Sequence, residues 1–222
     1  MHIRFHVGGP AIHPVAAQAE RIASWLGPDY QTSILADTAA FADLDDVDVL
    51  VLMGMYWPGM NADWAGNMTY APIEEPAKSN FLRYAHAQRP LVIHHGAIGC
   101  YTDWPEFGDT LGVTWGVKRA SHSPFVPHRI RVDAQPHPIT AGVADFDIVD
   151  ELYHSLRIDA TRHPQHLLWG SWEGGEHPLL TTLDASPRSG KTVFNALGHN
   201  MQSFDPPAMA RIWQNSIAWL VS

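Results

Sequence analysis

Residues 91–97 read LVIHHGA, and this short stretch decides the fold. Leu91, Val92, Ile93 and His94 run without a break into His95-Gly96-Ala97. A strand that is apolar on both sides is buried on both faces, as in parallel sheets covered by helices. Residues 48–53 (DVLVLM) read the same way. Ile3–Val7 (IRFHV) gives a shorter first strand, closed by Gly8-Gly9-Pro10. Between these strands, Val15–Leu26 has helical spacing, with Val15, Ala19, Ile22, Ala23 and Leu26 on one face and Gly27-Pro28 as a stop. Strand and helix alternate, which predicts a doubly wound α/β fold with a mostly parallel sheet.

Working outward, Tyr30–Leu35 predicts a second strand and Ile73–Gln88 a helix that ends before Pro90. Trp104–Leu111 also reads as helical. From about Val113 to Val132 the pattern changes to short antiparallel strands, and Asp150–Ile158 and Leu167–Ser171 continue it. Pro178–Leu183 and Lys191–Leu197 flank a turn and predict a hairpin. Pro206–Val221 closes the chain as an amphipathic helix. The expectation is a single domain over residues 1–222 with a strand-rich C-terminal extension. Gly54–Pro76 is a long loop rich in Gly, Pro, Trp and Asn, and loops of that length in compact domains are usually functional.

The formal net charge of -9 disfavours a nucleic-acid partner, since phosphate binding needs clustered Lys and Arg. The longest apolar runs are too short to cross a bilayer, so no membrane association is expected. The single cysteine, Cys100, forbids an internal disulfide. With no signal-peptide pattern at the N-terminus, a cytoplasmic location is expected. Oligomeric state is left open, a homo-oligomer included.

Fourteen histidines and nine tryptophans stand out. In open parallel sheets, ligands bind beyond the carboxyl ends of the strands. Polar residues after the predicted strands are therefore site candidates: Gly8, Gly9 and His13, then Tyr56 and Trp57, then His95, then His199; the DELYH segment adds Glu151 and His154. Converging imidazoles and a carboxylate can transfer protons or bind a divalent cation such as zinc. The expected catalytic residues are His95, Glu151, His154 and His199, and the expected metal ligands His13, His95, His154 and His199. Glu151 and His154 pose a conflict, because a strand puts them on opposite faces. Gly8 and Gly9 either make a tight turn or offer backbone amides at the start of the first helix. Trp57 and Trp64 are candidates for a platform under a sugar or another flat apolar face, and Tyr56 for a hydrogen bond to a ligand hydroxyl.

The strand followed by His95-Gly96-Ala97 has the outline of a nucleophile elbow, with His where Ser or Cys would sit. Cys100 lies five residues on. It is either an inert buried thiol or the partner of a His95-assisted nucleophile.

IHHGA, TDWPEFGDTLG, HPIT-x-G, DELYH and NALGHN, in this order, resemble the ThuA-like (trehalose utilisation) family of the class I glutamine amidotransferase-like superfamily. The resemblance runs from about Gly8 to the C-terminus. It implies a flavodoxin-like three-layer sandwich. It also implies that His95 stands where related enzymes hold a catalytic cysteine, so thioester chemistry is not expected. Asp150, Glu151, Tyr153 and His154 match the family's DELYH segment, and Gly198-His199 its ALGH segment. The family's association with glycoside catabolism, often beside oxidoreductases that make 3-keto sugars, implies a small carbohydrate ligand and no nucleotide. Two classes of function follow: an enzyme that hydrolyses, eliminates from or isomerises a sugar or 3-keto-glycoside, and a non-catalytic sugar-binding or regulatory module on the same scaffold.

Overall fold

The computed structural model describes residues 1–60, 70–116 and 120–222. A nine-stranded sheet runs through the centre. Its first part is parallel: β1 (His2–Val7) lies between β2 (Gln31–Ala36) and β3 (Val49–Leu52), and β4 (Leu91–His94) lies between β3 and β13 (Thr192–Asn195). β3, β4 and β13 are buried along their whole length, as their apolar sequences require. The rest is antiparallel: β12 (Gly175–Leu183) returns beside β13, followed by β11 (Gln165–Trp172), β7 (Val126–Val132) and β8 (Phe146–Asp150). The order across the sheet is β2-β1-β3-β4-β13-β12-β11-β7-β8. The β12–β13 pair is the expected hairpin.

Among the described residues four helices flank the sheet: α1 (Val15–Leu26), α2 (Ala77–His86), α3 (Pro105–Leu111) and α4 (Pro207–Leu220). α1 and α4 pack against each other, and α2 packs against the 3-10 turn Asp37–Phe41. α1 has the expected bounds, and the buried face of α4 is Met209, Ile212, Trp213, Ser216, Ile217 and Leu220.

The expected strand over 150–158 is a correction. The chain leaves β8 at Asp150 and continues as two fragments, β9 (Tyr153–His154) and β10 (Arg157–Ile158). Ser155 between them has φ 58°, outside the range of a continuous strand. β9 pairs with β6 (Ser121–His122), and β10 pairs with β5 (Val113–Thr114). These two ribbons stand apart from the main sheet.

Candidate functional site

Three parallel strands end in backbone turned into the left-handed region. After β1, Gly8 and Gly9 have φ 110° and 106°. A side chain at Gly8 would collide with the Tyr56 hydroxyl, and a Cβ at Gly9 would lie 2.6 Å from the Met55 carbonyl oxygen. The chain then delivers His13 just before α1. After β13, Gly198 has φ 116°, and a Cβ there would run into the His94 ring. His199 comes next. After β4, His95 itself takes φ 43°. A non-glycine residue in that region is uncommon, and strain of this kind concentrates at working sites.

His95 is held on two sides. Its Nδ1 lies 2.6 Å from the Ala196 carbonyl oxygen, and its ring lies against Tyr153 with centroids 4.1 Å apart. A carbonyl only accepts, so the proton sits on Nδ1 and the lone pair on Nε2. That Nε2 is buried and has no hydrogen-bond partner. It points toward Glu151, 4.0 Å from Oε2. Glu151 Oε2 lies 3.1 Å from His199 Nδ1, which in turn lies 3.1 Å from His13 Nε2. One ligand atom from each of His13, His95, Glu151 and His199 lies within 4.8 Å of all the others.

Asp150 ties these segments together. Its buried carboxylate accepts from the backbone N–H groups of Glu151 (2.9 Å), Gly198 (2.7 Å) and His199 (2.9 Å). Burial pushes this carboxyl up to about 6, against the three N–H donors that pull it down. Burial lowers His13 to about 3, helped by His199 and His122, and holds His95 well below its ordinary value, helped by His13, His94 and His199. Both imidazoles are neutral at pH 7, the state in which histidine binds metals.

His13, Glu151 and His199 of the cluster line a cavity of about 350 Å³, with His95 buried behind them. Its walls are Ile12, Met55, Trp57, Ile98, Trp115 and Tyr153, and His122 lines it as well. That volume is within the range of small-ligand sites, and aromatic walls suit the apolar faces of a sugar ring.

The structure thus brings together His13, His95, Glu151 and His199, with Trp57 on the wall. His154 is a correction. Strand alternation turns Glu151 and Tyr153 inward and His154 away, so its ring packs on His177 at 5.0 Å beside a separate cavity of about 240 Å³. Tyr56 is a second correction. It is buried, and its hydroxyl already donates to Val7 O (3.1 Å) and accepts from Asp37 N (2.9 Å). Gly8 and Gly9 permit close backbone approach and do not line the cavity, and α1 begins only at Val15. Trp64 lies outside the described residues. Cys100 is buried and accepts from Tyr56 N at 3.3 Å, and burial pushes its thiol far up, which makes it inert. His122, Trp115 and the orienting role of Tyr153 were missed. The only signal for them was the short polar stretch that pairs His122 with Tyr153, too brief to show a period.

The family model for trehalose utilisation, ThuA, matches residues 10–220. The chain belongs to the ThuA family. That membership points to a carbohydrate-related role. A ThuA-like protein from Bacteroides uniformis is 18% identical, with 100% of this chain and 91% of that one covered and a TM-score of 0.75. Another, from Parabacteroides merdae, is 15% identical, with 99% and 90% covered and the same TM-score. A protein from Thermoplasma acidophilum described as a GMP synthase subunit is 15% identical, with 99% and 94% covered and a TM-score of 0.57. At these identities the likeness is one of fold, and the fold is that of the glutamine amidotransferases. No curated protein matches the sequence. Among the described residues of this ThuA protein, no helix is long and apolar enough to cross a membrane.

Proposed function

We propose that this ThuA protein is an enzyme that takes a proton from a carbon beside the carbonyl of a 3-keto-glycoside, leading to elimination or isomerisation, with a divalent cation such as zinc held by His13, His95, Glu151 and His199. The observation that carries this reading is the buried Nε2 of His95, without a partner and aimed at two imidazoles and a carboxylate. Burying an unpaired acceptor costs free energy, and neutral imidazoles with one carboxylate suit zinc. Such a cation supplies Lewis-acid polarisation of the substrate carbonyl.

The chain's own groups account for the rest. Trp57 and Trp115 offer flat apolar faces to the sugar. Tyr153 lines the cavity, and its hydroxyl makes no hydrogen bond among the described residues. Burial raises its pKa well above the ordinary value, so it stays a phenol and donates to the substrate oxygen as negative charge develops there. Asp150 and the Ala196 carbonyl fix Glu151, His199 and His95 before substrate arrives.

The test uses purified protein, elemental analysis and methyl 3-keto-β-D-glucopyranoside followed by NMR. About one equivalent of divalent metal and consumption of the probe are expected. Binding without consumption would make the chain a sugar-binding module, and neither binding nor consumption would end the reading.

A further inference from the structure

Resting on the reading above, we infer that His122 is the group that moves the proton, with Glu151 as its orienting partner. Among the described residues, five titratable side chains line the cavity: His13, His122, Glu151, Tyr153 and His199. A group whose lone pair faces a shared cation does not also collect a proton. That sets aside His13, Glu151 and His199. Tyr153 serves as a donor. His154, which the sequence offered as a catalytic residue, faces another cavity. His122 remains.

Its geometry suits the role. Nδ1 lies 2.9 Å from the Ser123 carbonyl oxygen, which places the ring proton there and leaves the lone pair on Nε2. The side chain is 47% exposed at the cavity rim, so substrate can reach it. The Glu151 carboxylate spans two neighbours, with Oε2 3.1 Å from His199 Nδ1 and Oε1 3.5 Å from His122 Nδ1. One carboxylate thereby couples the cluster to the rim imidazole. A carboxylate beside the Nδ1–H fixes the ring's orientation and tautomer, as in carboxylate–histidine pairs in general. The β6–β9 pairing sets His122 opposite Tyr153, so base and phenol are presented by adjacent strands.

In the step itself, the C–H bond beside the carbonyl breaks and an N–H bond forms at His122 Nε2. The C–H electron pair becomes the enolate, with its charge on the oxygen that Tyr153 faces. The enolate then either expels the alkoxide at the next carbon, which takes the proton from His122, or takes the proton back at carbon.

The experiment follows exchange of the probe's carbon-bound hydrogen in D2O by NMR, using methyl 3-keto-β-D-glucopyranoside and metal-loaded protein. His122→Ala should slow exchange about 10³-fold, within the usual span for a general base. Its metal content and melting temperature should match wild type, and added imidazole should restore part of the rate. Wild-type exchange in the variant overturns the role. Loss of metal in the variant overturns it too, because His122 is then a ligand. No exchange by wild type removes the proposed function and this role with it, whereas failure in the variant alone leaves that function standing.

Discussion

In the parallel half of the sheet, β1, β4 and β13 all run the same way, and just past their ends lie His13, His95 and His199. In the antiparallel half, β8 returns to the same edge from the far rim of the sheet, with β12, β11 and β7 between it and β13. It brings Glu151 and Tyr153, and β9 pairs with β6 to add His122. The parallel half places donors by strand direction alone. The antiparallel half needs a fastening, and Asp150 provides it by accepting N–H groups from both halves. On the proposed function, one half supplies the imidazoles that hold the cation, and the other orients and reacts.

The sharpest break in that comparison is His95→Asn. Asn tolerates positive φ, so the turn survives while the imidazole goes. Turnover of the keto-glycoside should fall about 10³-fold or more, equivalent to ~4 kcal/mol of barrier. Bound metal should drop well below one equivalent by elemental analysis, and full activity in this variant would refute the division.

Tyr153→Phe tests the other half. It keeps the ring against His95 and deletes only the hydroxyl. The fall in kcat should be about 10²-fold, with metal content unchanged. Metal loss in this variant would show that Tyr153 holds the cluster and does not act on substrate.

Position alone does not make a histidine of the parallel half functional. His6 on β1 is fully buried, stacks on Phe41 at 4.9 Å and has neither ring nitrogen bonded. Burial lowers it to about 3. The unfolded chain therefore takes up this proton first, and the stability present above pH ~6.5 is lost as pH falls toward 3. His6→Phe should flatten the decline in melting temperature between pH 6.5 and 4, by roughly 3–5 kcal/mol of linkage for a group this buried. An unchanged acid limb would mean that His6 is charged in the fold. The smallest effect is expected from alkylation: iodoacetamide should leave activity intact, because Cys100 is inert, and inactivation tracking its modification would reinstate a thiol mechanism.

Legibility in the sequence divides along the same line. LVI, VLVLM and VF are apolar without alternation inside their strands, and such runs have one stable environment, so the parallel core and its edge were readable. Once strand direction was known, His13, His95 and His199 could be placed from their positions just beyond the strands. Glu151 was found through the DELYH segment, which had been read as strand; it lies just past the true end of β8. His154 was misplaced because the alternation that turns Tyr153 inward turns it away, and two-residue fragments carry no periodic signal. Tyr56 was misassigned because adjacency to a strand end says nothing about where a hydroxyl finds its partners. His122 lies in a ribbon whose existence depends on pairing with residues 153–154, a long-range contact that no local pattern announces.

The four clustered donors come from positions 13, 95, 151 and 199, and Asp150 fastens the last two segments to each other. Only a segment that spans residues 13–199 contains all four. If the proposed cation binds there, its uptake reports completion of the entire topology, so during refolding it should coincide with the final cooperative phase and be absent from any earlier collapsed species.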